Sequence, residues 1–185
     1  MRLFIAIEIP DEIKKEMVKV QEQLRKAKVE ASWTRAEGMH LTLKFLGEVP
    51  EMKVPEIVTG LQTAAEGIGQ LQLEVKGVGT FPNPRNARVV WIGLSGDIGK
   101  LSKLQEAVEE AMARIGLARE ERKFTVHLTL GRIKYIRSRD TWIKTLEDIK
   151  DISLSGFEVT SVSLMKSELK PSGAVYTEMG RAELQ

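Results

Sequence analysis

Cysteine is absent from the 185 residues, and histidine occurs only twice. Without a thiol the chain has no disulfide and no thiolate chemistry. Long apolar runs are missing too, and nothing approaches the roughly 20 residues that a membrane-spanning helix needs. The opening MRLFIAIEIPDEIKKE holds a short apolar stretch, but acidic residues follow it and a small-residue cleavage site does not. It therefore does not read as a signal peptide. A cytoplasmic protein without membrane contact is expected. Neither sign of charge is in excess: 28 Lys and Arg against 26 Asp and Glu leave +2. That balance permits an anionic ligand without announcing a nucleic-acid protein. A hydrophobic share of 42% beside 29% charged residues describes a folding chain, long enough for one domain or two small lobes.

The two histidines open the same four letters. HLTLKFLG begins at His40 and HLTLGRIK begins at His127. Weaker echoes surround them. RLFIAIEIPDEIK (residues 2–14) resembles RVVWIGLSGDIGK (residues 88–100), each an apolar strand followed by an Asp suited to cap a helix. Helical stripes follow in both halves: Ile13, Met17, Val20 and Leu24, then Leu101, Leu104, Val108, Met112 and Ile115. After each HLTL comes another helix, marked by Val54, Ile57, Val58 and Leu61 and by Trp142, Ile143, Leu146 and Ile149, the latter with Ser138 as N-cap. Extended segments close each half, and a short strand around residues 175–179 ends the chain. FPNPRNA (residues 81–87) reads as the connecting loop. The order predicted is β-α-β-α-β, twice, with approximate repeats at residues 2–80 and 88–167. The fold class is α+β, one bilobal domain over residues 1–185 with a pseudo-two-fold.

Strand alternation orients the motifs. His40, Thr42 and Lys44 fall on one face, with Met39, Leu41, Leu43 and Phe45 on the other. His127, Thr129 and Gly131 likewise oppose Val126, Leu128 and Leu130. His and Thr then stand about 6.6 Å apart along each strand. A two-fold would turn both pairs towards one groove. Two imidazoles flanking a phosphorus can remove a proton from attacking water and deliver one to the departing oxygen. Two hydroxyls can bind the non-bridging oxygens. A strained cyclic phosphodiester suits this constellation. A metal site would need carboxylates near the His pair, and neither motif carries one at suitable spacing.

The paired motifs and their flanks, RLFIAIEIP, FPNPRNARVVWIGL and KFTVHLTLGR, resemble the 2H phosphoesterase superfamily over nearly the whole chain. They are most similar to its RNA 2′,3′-cyclic phosphodiesterase branch, also called 2′-5′ RNA ligases, the LigT family. The resemblance implies antiparallel sheets lining a central cleft with helices outside. It implies hydrolysis of RNA 2′,3′-cyclic phosphate ends to 2′-phosphates, with reversible 2′-5′ joining and no cofactor. By position, His40 matches the proton donor and His127 the proton acceptor, while Thr42 and Thr129 match the phosphate-binding hydroxyls. The residues themselves do not separate donor from acceptor. Relatives often place Pro before the second His, where this chain has Val126. RNA with cyclic phosphate ends, tRNA halves among them, is the expected partner.

Other residues are candidates for the cleft. Arg132 should leave the HxT face by alternation unless the strand bulges after Gly131. Lys44 could meet RNA phosphates, Phe81 and Trp33 could stack a base, and Tyr176 could rim the pocket. The charge runs DEIKKE and REERK are expected to be solvated helical faces. A monomer is expected. The competing readings are a 2H enzyme for a small cyclic phosphate or a 2′-5′ oligonucleotide, and a non-catalytic RNA-end-binding protein.

Overall fold

The computed structural model describes residues 1–185. The elements run β1 (Arg2–Glu8), α1 (Asp11–Arg25), β2 (Val29–Trp33), β3 (His40–Glu48), α2 (Val54–Ala65), β4 (Leu71–Phe81) and β5 (Val89–Gly96). They continue α3 (Ile98–Arg114), β6 (His127–Ile136), α4 (Arg139–Ile149), β7 (Ser153–Val159), β8 (Ser161–Lys170) and β9 (Gly173–Glu183). The helices lie where the apolar stripes fall. Ile13, Met17, Val20 and Leu24 are buried on α1, as are Leu101, Leu104, Val108 and Met112 on α3. Ser138 caps α4 by accepting from the Thr141 backbone N–H.

Two local expectations differ. Asp11 sits inside the first turn of α1, behind Pro10 at the cap position. Asp97 does stand at the N-cap of α3, but its Oδ2 accepts from the Gln72 backbone N–H at 2.7 Å. A donor on the adjoining β4 satisfies the carboxylate, and the helix end is left without a side-chain cap. The chain also holds a strand that periodicity did not show, the five-residue β2. The last strand is longer than expected, because β9 zips along β8 to make a ten-pair hairpin.

All strand pairs are antiparallel, in two sheets ordered β3-β1-β8-β9 and β2-β6-β5-β4-β7. The pseudo-two-fold is visible in β3-β1-β8 against β6-β5-β4. Each trio holds one HLTL strand, the opening strand of its own half, and a strand supplied by the other half. The helices cross over as well. α2 and α3 pack on the first sheet, and α1 and α4 on the second. Each lobe is thus a composite of both sequence halves, because antiparallel pairing lets β4 reach β5 and β8 reach β1.

This exchange joins the lobes through a single continuous core. Trp142 on α4 is fully buried in it and donates its indole N–H to the Pro84 carbonyl at 3.1 Å, fixing the connecting loop. Each buried Leu, Ile or Val contributes about 1.5–3 kcal/mol relative to exposure. β1 is buried on both faces: Leu3, Ile5 and Ile7 join the main core, and Phe4 and Ala6 form a small separate cluster with Met165 and Tyr176. No helix is long and apolar enough to cross a membrane.

Candidate active site

One cleft of about 450 Å³ lies where the lobes meet, and His40, Thr42, His127 and Thr129 all line it. β3 carries the first pair and β6 the second. The leucines between them, Leu41, Leu43, Leu128 and Leu130, are buried in the core. Alternation therefore works as the sequence predicts through HLTL in both copies.

Then both strands bulge at the same letter. In β3, Ala6 pairs Thr42 and Ile5 pairs Lys44, so Leu43 is the extra residue. In β6, Trp91 pairs Thr129 and Val90 pairs Gly131, so Leu130 is the extra residue. A bulge shifts the side-chain phase by one. This overturns the expectation for Lys44. It is turned into the protein, 4% exposed, and its Nζ contacts both Glu109 carboxylate oxygens at 3.0 and 2.9 Å and the Ala118 carbonyl at 2.7 Å. Its ammonium is committed to this buried pair at the floor of the cleft that Lys44 helps to line. Phe45, expected inside, is 69% exposed at the cleft rim. In β6 the same phase shift returns Arg132 to the HxT face, where it lines the cleft.

Each bulged carbonyl has a glutamine below it. Gln21 of α1 donates to Leu130 O at 2.9 Å and to Thr34 O at 2.8 Å. Gln105 of α3 reaches Leu43 O at 3.4 Å. The two glutamines act crosswise, each helix holding the motif strand of the other half.

The histidines have different aromatic neighbours. His40 lies against Phe4, with ring centroids 5.6 Å apart, and meets the edge of Tyr176 at 4.9 Å. Tyr176 is not among the residues that line the cleft; its ring supports the His40 imidazole instead. His127 lies flat on Trp91, centroids 3.9 Å apart and planes 11° from parallel. Trp91 needs Gly79 on the adjacent strand, because a Cβ there would collide with the indole. Gly131 admits Trp33 in the same way, with a Cβ placed only 2.7 Å from its ring. Trp33 therefore fills a gap in the sheet under the Arg25 guanidinium, 5.5 Å from its ring, and does not line the cleft. Phe81 is 67% exposed at the end of β4 and also lies outside the cleft lining, so neither aromatic is placed to stack a base there.

Burial drives the His40 pKa down to about 4, with the nearby Lys14 charge adding to the fall. Burial lowers His127 as well. The protein alone therefore holds both imidazoles neutral at neutral pH. The run REERK is a loop rather than a helical face, and Glu120, Arg122 and Lys123 from it line the cleft. The Arg122 backbone N–H holds the Glu120 carboxyl below its ordinary range. Three cations, Arg122, Lys123 and Arg132, leave the rim suited to an anion. No group of three or more His, Cys, Asp or Glu side chains gathers anywhere to hold a metal ion.

The family model for LigT-like phosphoesterases matches this chain twice, over residues 7–91 and 92–176, with one HLTL in each match. The chain belongs to that family. This LigT-like phosphoesterase is 39% identical over 176 residues to an RNA 2′,3′-cyclic phosphodiesterase of Thermotoga maritima, covering 95% of this chain and 91% of that one. It is 36% identical to the enzyme of the same name from Methanocaldococcus jannaschii, over 95% and 96% of the two chains. The crystal structure of a Thermus thermophilus protein superposes on the phosphoesterase with a TM-score of 0.80 at 27% identity, covering 100% and 98% of the chains. E. coli LigT complexed with NADP⁺ does so with a TM-score of 0.75 at 25% identity, over 100% and 97%.

Sequence reasoning missed Trp91, Gln21 and Gln105 in this phosphoesterase. The glutamines left only a faint signal, a Gln-Glu after an apolar residue in each repeated helix, VQE (residues 20–22) and LQE (residues 104–106), out of step with the repeat by two to three residues. Trp91 left none, because its role depends on a glycine in another strand.

Proposed function

We propose that this phosphoesterase opens 2′,3′-cyclic phosphate ends of RNA to 2′-phosphates by acid–base catalysis between His40 and His127. The carrying observation is that both HLTL copies deliver a His and a Thr to one cleft. Water attacks phosphorus, forming the new P–O bond as the P–O3′ bond breaks. His127 takes the proton from that water. The indole face beneath it stabilises the imidazolium that results. His40 gives its proton to the departing 3′ oxygen. An imidazolium whose pKa the protein depresses is a strong acid, which favours this transfer. That proton is taken up as the substrate anion enters, because the phosphate charge raises both imidazole pKa values. Thr42 and Thr129 donate to the non-bridging oxygens, and Arg132 faces the same charge.

The curated relatives named above support the RNA cyclic phosphate as substrate. The cations at the rim favour an RNA over a small uncharged-bodied cyclic phosphate. The donor set is two imidazoles without a carboxylate cluster, and on that chemistry the reaction needs no metal. The reading extends to a monomer of one bilobal domain, built on repeats at residues 2–80 and 88–167. It works in the cytoplasm on ends such as those of tRNA halves, and can run in reverse to join ends through a 2′-5′ linkage. Turnover of a cyclic-phosphate RNA by His40→Ala and His127→Ala tests it. Each variant should bind the RNA and fold as wild type while losing turnover. Activity that survives either change would contradict the mechanism.

A further inference from the structure

A second groove, of about 490 Å³, lies at the other end of β6. Arg85, Arg88, Lys134 and Arg139 line it, with Tyr135, and no carboxylate does. Nearby Arg137 is tied to Glu30, yet none of these four cations enters an ion pair. Tyr135 is 61% exposed. Four like charges gathered without a counter-charge repel one another, and an anionic ligand would relieve that.

The groove is built rather than incidental. Its loop is held by the Trp142 indole N–H on Pro84 O at 3.1 Å, by Asn86 N–H on Asn83 Oδ1 at 2.9 Å, and by Arg88 N–H on Phe81 O at 2.8 Å. Ile133 N–H donates to Arg88 O at 2.8 Å and ties the loop to β6. A preformed site loses little order on binding. It also adjoins the catalytic cleft. Arg132 lines the cleft, Val89 pairs with Arg132, and the adjoining residues, Arg88 just before β5 and Ile133 on β6, line the groove. From Arg132 to Lys134 the strand rises only about 7 Å.

A cyclic phosphate in the cleft accounts for one anion. A second cationic site one step along the same strand needs a ligand with repeated phosphates. We propose that this groove binds backbone phosphates of the RNA strand leading to the cyclic end, with Tyr135 as a stacking platform for one of its bases. The proposal rests on the RNA-end reading above, and adds that the enzyme prefers a polynucleotide to a short end.

The test compares a dinucleotide with a decanucleotide, both ending in a 2′,3′-cyclic phosphate, over a range of salt. Wild type should favour the decanucleotide in kcat/KM by roughly tenfold at low salt. The combined Arg85→Ala, Lys134→Ala and Arg139→Ala variant should lose that preference and keep its dinucleotide rate. Its logarithmic salt dependence on the long RNA should flatten by about 0.7 for each phosphate contact removed. Tyr135→Ala should cost about fivefold on the long RNA alone. Equal use of both lengths by wild type would overturn the groove while leaving the RNA-end reading standing. So would a variant equally impaired on both. Failure of wild type to turn over either RNA would sink the RNA-end reading and this proposal with it.

Discussion

Gln21 reaches across the sequence to Leu130, donating its side-chain N–H to the bulged carbonyl at 2.9 Å. That bond fixes the place where β6 changes phase, between Thr129 on one side and Arg132 on the other. Gln21 is 2% exposed, so its amide is shielded from solvent. Gln21→Leu should destabilise the fold by about 1–3 kcal/mol, since the Thr34 carbonyl loses a buried donor and the Leu130 carbonyl keeps only the Thr34 N–H. It should also lower kcat by roughly tenfold, through misplacement of Thr129 and Arg132. Gln105→Leu should do less on both counts, its bond being 3.4 Å long. Urea unfolding and steady-state kinetics on the two variants check this ranking.

Lys44 and Glu109 form a pair that is 2% and 12% exposed at the side chains. Lys44→Met strands the carboxylate. A loss of about 3–5 kcal/mol follows, seen as a Tm lower by roughly 10 °C. KM for RNA should hardly move, because Glu109 and the Ala118 carbonyl already engage the ammonium. Lys44→Met combined with Glu109→Leu should recover most of the stability. A large rise in KM with an unchanged Tm would restore Lys44 to the substrate contacts.

Gly79→Ala places a methyl group into the Trp91 indole, which must leave the face of His127. The expected result is a kcat reduced by about tenfold or more, with a stability loss of about 1–3 kcal/mol from the overpacking. Trp91→Leu should show the same kinetic loss. Wild-type kinetics in both would detach Trp91 from the chemistry.

The pH dependence follows from the imidazoles. His40 is lowered from 6.5 to about 4, and His127 is lowered too, both by burial. Turnover needs one protonated and one neutral ring. In the free enzyme that state is lost as pH rises above the higher of the two pKa values, so kcat/KM should peak on the acid side of 6.5. In the complex the phosphate raises both values, and kcat should peak at higher pH. For stability the sign is the usual one for a depressed histidine. The unfolded chain binds the proton more readily, so the folded state loses stability as pH falls from 6.5 towards 4, and His40→Gln should lessen that loss. Separate pH profiles of kcat/KM and kcat, with Tm against pH, measure all three.

Much of this was legible in the sequence where the signal is local and periodic. The four helices follow their apolar stripes, and His40, Thr42, His127 and Thr129 share a face because HLTL alternates. What escaped is set by distant partners. An extra residue at Leu43 or Leu130 leaves the letters of a strand unchanged, yet it turned Lys44 inward, Phe45 outward and Arg132 back to the cleft. Lys44 found Glu109 on a helix of the other half, which no local window contains. The exchange of β4 and β8 between the halves is a choice of pairing partner, and the repeat in the sequence cannot show it. The loop at Arg122 and Lys123 carries a helix-like charge pattern but no apolar stripe, and so it was free to reach the cleft.

The central claim is that the two HLTL copies form the two halves of one acid–base site. Incubation of the protein with a short RNA ending in a 2′,3′-cyclic phosphate, in the presence of EDTA, tests it most directly. Mass and resistance to a 3′-specific phosphatase identify the product. The account predicts a 2′-phosphate, formed by wild type and lost in both His40→Ala and His127→Ala. A 3′-phosphate, or turnover that EDTA abolishes, would contradict it.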